Sequence, residues 1–285
     1  MSEYRTGSVS SADGTVIGYR RLGSGPAVLL VHGGMQAAQH LMKLADALAS
    51  DFTVLVPDRR GRGLSGRHGD DYRAAREVED LQALVAATGA TRIFGLSAGA
   101  LVALRTAHAT PGLDAIALYE PPLSVNGSAP MDWVPRFDRE VARGRLSAAL
   151  VTALKGLAAE PVLGRFPRFV LVPFMAIGAR LQGNGSGDDV PISALIPTLR
   201  FDMRLVEEMA DTARDYASLG SRVLLLGGTK SPAYFSVALD ELAAAIPHAR
   251  RITFSGLGHS GPDDDGDPRR VAEALRDFFS ETDLR

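Results

Sequence analysis

The 285-residue chain contains no cysteine, an absence that excludes disulfide frameworks, thiolate nucleophiles and thiolate metal sites together. Charge of one sign is also lacking. Lys+Arg 31 against Asp+Glu 33 leaves a formal net charge of -2 with no long basic run, so the phosphate attraction of a nucleic-acid binder is missing. Lysine is scarce, with Lys43, Lys155 and Lys230 alone among the many arginines; the bias points to a GC-rich genome and not to a function. The most apolar stretch, residues 169–178, contains Pro173 and falls short of the ~18 to 20 residues that a membrane span requires. The N-terminal Met1-Ser2-Glu3-Tyr4-Arg5 lacks the apolar core of a signal peptide, so a cytoplasmic location is expected. What is present is ordinary for a folded protein: 46% hydrophobic and 22% charged residues supply a core.

Short apolar runs recur along the chain, each ending at a turn residue and followed by a stretch of helical spacing. They are Val28-Leu29-Leu30-Val31, Thr53-Val54-Leu55-Val56, Arg92-Ile93-Phe94-Gly95-Leu96, Ala115-Ile116-Ala117-Leu118-Tyr119, Val223-Leu224-Leu225-Leu226 and Arg251-Ile252-Thr253-Phe254. Near-continuous apolar runs of this length read as parallel strands buried on both faces. Helices are expected over 41–49, 72–88, 98–109 and 239–246, which gives an α/β protein with a doubly wound, mostly parallel sheet. Before the first run, Asp13-Gly14 signals a hairpin and therefore an antiparallel N-terminal edge. Between 123 and 216 the strand rhythm stops and prolines punctuate helix-like segments. The expected division is a core of residues 1–122 and 217–285 with a helical cap of 123–216 inserted into it. Within the cap, Phe169, Phe174, Met175 and Ile177 are expected to line the substrate pocket, and residues 183–187 read as a surface loop or hinge.

Gly95-Leu96-Ser97-Ala98-Gly99 matches the Gly-x-Ser-x-Gly nucleophile elbow, and it falls between an expected strand and an expected helix, the context the motif requires. The glycines allow a sharp turn that exposes the serine hydroxyl, and the helix N-terminus points donors toward a developing anion. Capping of a helix by Ser97 is the bland alternative. His32-Gly33-Gly34-Met35 follows the first core strand. An acyl-transfer serine needs two amides aimed at the oxyanion, here from Ala98 and from Gly34 or, less favourably, Met35. His32 and Gly33 are expected to border the substrate. A serine also needs a base. His32, His40, His68, His108 and His248 read as structural or solvated groups, whereas His259, in the Gly256-to-Gly261 turn after the last core strand, lies on the same sheet edge as Ser97.

Taken together, the strand series, His32-Gly33, the loop 58–65, the Gly95-to-Gly99 elbow and Gly258-His259 resemble the α/β-hydrolase family over essentially the whole chain. The resemblance implies a Ser-acid-His order and gives the 58–65 loop a structural role. It also exposes a departure. The loop after the penultimate core strand, Gly227-Gly228-Thr229-Lys230-Ser231-Pro232, has no carboxylate where many members carry an Asp. Some members place the acid after the strand that follows the nucleophile helix, and Glu120 occupies that place. Asp263, Asp264 and Asp265, which read as a solvated acidic loop, and a serine-histidine pair working through water remain open alternatives. Serine at the elbow disfavours the dehalogenase and epoxide-hydrolase activities of the family, which use Asp there. Scattered histidines without helical pairing give no metal site, no Gly-rich phosphate loop follows the first strand, and no cofactor is expected.

The expected function is hydrolysis of a carboxylic ester, or a thioester or lactone, of a fairly apolar small molecule. Biosynthetic cyclase or lyase chemistry and non-hydrolysing ligand reception are the rivals. Oligomeric state stays open, a homodimer included.

Overall fold

A computed structural model describes residues 3–158, 166–181 and 187–281; positions 183–186 of the expected glycine-rich loop lie outside them. Eight strands form one sheet: β1 (Arg5–Ser10), β2 (Val16–Leu22), β3 (Ala27–Val31), β4 (Thr53–Pro57), β5 (Arg92–Leu96), β6 (Ala115–Tyr119), β7 (Arg222–Gly228) and β8 (Arg250–Phe254). Their spatial order is β1-β2-β4-β3-β5-β6-β7-β8. The β1–β2 and β2–β4 pairs are antiparallel and all later pairs are parallel. Asp13-Gly14 does turn the N-terminal hairpin, with Gly14 at φ 83°, a left-handed conformation that glycine reaches without steric cost.

Alternate residues of a strand face opposite sides of a sheet, and here both sides are covered. Leu29, Val31, Ile93, Ile116, Leu118, Val223 and Leu225 share one buried cluster with α2 (Ala74–Thr88), α3 (Ala98–Ala109) and α9 (Ala233–Ala245). Val28, Leu30, Phe94, Leu96, Ala117, Leu224 and Leu226 share the other with α1 (Met42–Leu48) and α10 (Pro268–Ser280). Burial on both faces is the physical reason the strands read as unbroken apolar runs.

The topology also decides where chemistry can occur. The chain runs from β3 outward to β4 and then returns past β3 to β5, so the loops leaving β3 and β5 diverge from neighbouring strand ends. Such a switch point at the carboxyl edge of a parallel sheet is where open α/β proteins bind ligands.

Between β6 and β7 lie α4 (Val134–Ala142), α5 (Leu146–Gly156), α6 (Arg168–Leu181), α7 (Ile192–Leu195) and α8 (Leu199–Glu208). These helices share the core of the sheet: Phe137, Leu150, Leu199, Met203 and Val206 belong to the same cluster as Ile93 and Leu118. A buried ionic network completes the attachment. Arg59, in the loop after β4, donates to both carboxylate oxygens of Glu77 on α2 at 2.6 and 2.7 Å and to Asp202 Oδ1 on α8 at 2.8 Å. Arg62 donates to Asp202 Oδ2 at 2.7 Å. Burial pushes the Glu77 carboxyl up, but the Arg59 charge and hydrogen bonds prevail and hold it at about 2. Asp202 is fully buried, so removing it leaves Arg59 with Glu77 but strands the buried Arg62 guanidinium without its carboxylate. Breaking such a pair costs about 3–5 kcal/mol. Asp202→Ala should therefore lower unfolding free energy in urea by about that amount; a loss below about 1 kcal/mol would show the network to be dispensable.

Candidate active site

Ser97 occupies the turn between β5 and α3 with φ 54° and ψ −123°, a conformation that L-residues adopt only under constraint. The constraint is visible on both sides. Ser97 N–H donates to the Tyr119 carbonyl on β6 at 2.8 Å, while the Ser97 carbonyl accepts from Ala100 N–H at 2.8 Å to start α3. Side chains at the flanking glycines cannot be accommodated: a Cβ on Gly95 would meet the Ala100 backbone, and one on Gly99 would meet the Val31 and His32 carbonyl oxygens. The elbow therefore needs glycine at both positions for close approach.

Glu120 leaves the end of β6 with φ 48°, pinned by its N–H to the Leu226 carbonyl at 3.0 Å. Its carboxylate is 1% exposed and engaged at both oxygens. Oε1 accepts from Gly228 N–H at 2.7 Å, and Oε2 accepts from His259 Nδ1 at 2.7 Å. The loop that lacks an acid thus contributes an amide to hold the acid supplied by its neighbour. With Nδ1–H donated to the carboxylate, the neutral imidazole carries its lone pair on Nε2. The ring is further fixed by stacking on Phe235, centroids 4.2 Å apart at 13°, and its loop is tied down where Tyr119 Oη donates to the Gly258 carbonyl at 2.7 Å.

Ser97, Ala98, Gly33, Gly34, Met35 and His259 all border one cavity of about 190 Å³. Gly33 N–H donates to Gln36 Oε1 at 2.8 Å and is thereby occupied within its own loop. Met35, like Ser97 and Glu120, has a positive φ, 51°. Three of the non-glycine residues in this strained region thus meet at one site, as strain tends to gather where function requires it. The remaining wall is mostly apolar, from Leu154 and Leu157 at the end of α5, Leu199 and Met203 on α8, and Tyr234 and Phe235 on α9. Among the described residues, no group of three or more His, Asp or Glu side chains is arranged to hold a metal ion. No described helix is long and apolar enough to cross a membrane.

Several expected residues lie elsewhere. His32 is fully buried and does not border the cavity. Its Nδ1 donates to the Gly33 carbonyl at 3.0 Å and its Nε2 accepts from Arg59 N–H at 3.1 Å, which makes it a brace between two loops. Phe169, Phe174 and Ile177 are 78%, 66% and 57% exposed, and neither they nor the half-buried Met175 line the cavity. The physical reason is helical rotation: α6 packs on α5 through the side that buries Leu171, which places Met175 against the shared core and turns Phe169, Phe174 and Ile177 outward. An apolar run identifies a helix without saying which face is inward. The acidic loop is also not simply solvated, since Asp263 borders the cavity and accepts from Gln36 Nε2 at 2.8 Å, and Asp264 accepts from Lys43 N–H at 2.7 Å. Gln36, Tyr119 and Phe235 have structural parts in the site that no motif announces.

A model of the alpha/beta hydrolase family matches residues 28–274, and the chain belongs to that family. Among its relatives, a pimeloyl-[acyl-carrier protein] methyl ester esterase of Xanthomonas campestris pv. campestris is 28% identical over 263 residues, spanning 91% of this chain and 97% of the relative. A 2-(acetamidomethylene)succinate hydrolase of Mesorhizobium japonicum is 24% identical over 247 residues, 84% of each chain. Among solved structures, an alpha/beta hydrolase from Sphaerobacter thermophilus superposes with a TM-score of 0.77 at 32% identity, covering 96% of this chain and 100% of that one.

Burial, reinforced by the Arg62 charge, holds His32 well below the usual histidine range and brings His68 to about 4. Both rings are therefore neutral in the fold while unfolded histidines take up protons near 6.5. Their contribution to stability is complete above about 6.5 and is lost as pH falls toward 4. Asp263, raised by burial to about 6, acts in the opposite sense, because its folded form holds a proton that the unfolded chain has released, and burial raises Asp58, Asp80 and Asp264 in the same direction. His68→Phe, which keeps a ring against Phe201, should therefore lose less melting temperature by circular dichroism between about pH 6.5 and 4 than the wild type does, and equal losses would contradict the assignment.

Proposed function

We propose that this protein is a serine hydrolase that cleaves a carboxylic ester, or a related thioester or lactone, of a small and fairly apolar molecule through an acyl-enzyme on Ser97. The observation that carries the reading is the meeting, around one cavity, of a serine on a strained turn and a histidine whose Nδ1 is bound to a buried carboxylate. A serine hydroxyl is a weak nucleophile until a base removes its proton. In this reading, His259 Nε2 takes the proton as Ser97 Oγ bonds to the carbonyl carbon. The oxyanion is met by the Ala98 amide and by Gly34, with Met35 as the neighbouring donor. His259 then returns the proton to the departing alcohol, and a water activated by the same nitrogen cleaves the acyl-enzyme. Glu120 fixes the tautomer and stabilises the imidazolium throughout.

A mostly apolar wall and a volume near 190 Å³ favour a small acyl group, since a cavity of about 150 Å³ already holds benzene. The relative named as a methyl ester esterase lends support to an ester substrate. Residues 123–216 act as a cap over a core of 1–122 and 217–285. The cap supplies Leu154, Leu157, Leu199 and Met203 to the wall.

Hydrolysis of 4-nitrophenyl butyrate tests the reading. Ser97→Ala should abolish it, and Glu120→Gln should lower kcat by about 10³ to 10⁴ by losing the tautomer-fixing acceptor. Full activity in either variant would remove that residue from its role. A wild-type protein that reacts with a fluorophosphonate probe yet turns over no ester would favour cyclase or lyase chemistry instead.

A further inference from the structure

The cavity wall is chemically one-sided in a way that the serine-ester reading does not use. None of the described residues that border it is lysine or arginine, whereas two, Asp202 and Asp263, carry carboxyl groups. These two acids are not equivalent. Both oxygens of Asp202 receive guanidinium hydrogen bonds, from Arg59 at 2.8 Å and Arg62 at 2.7 Å, so its charge is neutralised behind the wall. Asp263 Oδ1 accepts instead from the uncharged Gln36 amide at 2.8 Å. Among the described residues no guanidinium or ammonium group forms an ion pair with it.

We propose that Asp263 sets the substrate specificity of this cavity, admitting uncharged acyl groups and rejecting those that carry a carboxylate. The proposal rests on the serine-ester reading for what the cavity holds. Asp263 follows His259 by one short turn and borders the same space as Ser97, so an acyl chain attached at Ser97 shares the cavity with it. Like charges confined together in a partly dry cavity of about 190 Å³ repel with little screening. The groups acting on Asp263 leave that repulsion in place. From the loop after β3 come Gln36 and the His40 ring, from β6 Tyr119, and from its own loop His259 and Ser260. Asp264, next in sequence, faces Lys43, and Glu120 is paired with His259. Burial raises the Asp263 carboxyl to about 6, so the gate is charged above that pH and neutral below it.

Two esters of matched length, methyl pentanoate and monomethyl succinate, provide the test, with methanol release as the readout. At about pH 7.5 the ratio of kcat/KM should favour the uncharged ester by roughly 100-fold. Asp263→Asn, which keeps the shape and an acceptor for Gln36, should reduce that ratio by about tenfold or more. In the wild type the ratio should also shrink as pH falls through about 6. A wild-type ratio within about threefold of unity, or a ratio unchanged in Asp263→Asn, would overturn the proposal. The dissociation constants of the two esters for the Ser97→Ala protein give the same comparison without turnover. A binding preference that depends on Asp263 in a protein whose wild type hydrolyses neither ester would uphold the gate and contradict only the esterase reading.

Discussion

The arrangement turns on one hydrogen bond, from His259 Nδ1 to Glu120 Oε2 at 2.7 Å. A histidine in the loop between β8 and α10 has no reason to present one particular nitrogen to a cavity unless the other is held. Glu120 holds it from a fully buried position, and a buried carboxylate must itself be satisfied. The Gly228 amide meets that need on the far oxygen, and the Leu226 carbonyl fixes the backbone of Glu120 in its left-handed conformation. Strands β6 and β7 are hydrogen-bonded neighbours, so acid and supporting amide come from adjacent strand ends. Moving the acid to the end of β6 leaves Gly227-Gly228 free to approach closely: a Cβ on Gly227 would press on Glu120 at 3.3 Å.

Around this bond the sheet supplies the remaining geometry. The switch between β3 and β5 brings the His32-to-Met35 loop beside Ser97, and the loop after β8 brings His259 over the same edge. The backbone strain at Met35, Ser97 and Glu120 costs on the order of 1–3 kcal/mol per residue. At Ser97 and Glu120 that cost persists because their amides are held by the Tyr119 and Leu226 carbonyls of neighbouring strands. The inserted helices share the core of the sheet. Through Asp202, they are also bound to Arg59 and Arg62, so part of the cavity wall is anchored to the same loop that braces His32.

Much of this was legible in the residues. Burial on both faces makes β5 and β6 readable to their terminal residues, 92–96 and 115–119, and α3 is bounded by its elbow and by Pro111 just beyond its C-terminus. The helix expected at 239–246 begins earlier, at Ala233, because Pro232 with extended backbone opens it and the periodic signal alone does not register the first turn. Ser97 and His259 stand out by motif and position. Glu120 follows from a resemblance and from the missing carboxylate at 227–232, while its engagement at both oxygens is a fact of three dimensions. The outward face of α6 and the Arg59–Asp202 pair, 143 positions apart, depend on how distant segments meet. No local pattern encodes that.

The claim on which the account rests is a covalent acyl group on Ser97. Rapid acid quench of the protein with 4-nitrophenyl butyrate, followed by proteolysis and mass spectrometry of the peptide containing Ser97, measures it directly. The account predicts a mass increase of about 70 Da on that serine during turnover, the signature of a covalent intermediate. Steady ester hydrolysis with the peptide unmodified at every quench time, or with the acyl group on another residue, would contradict it.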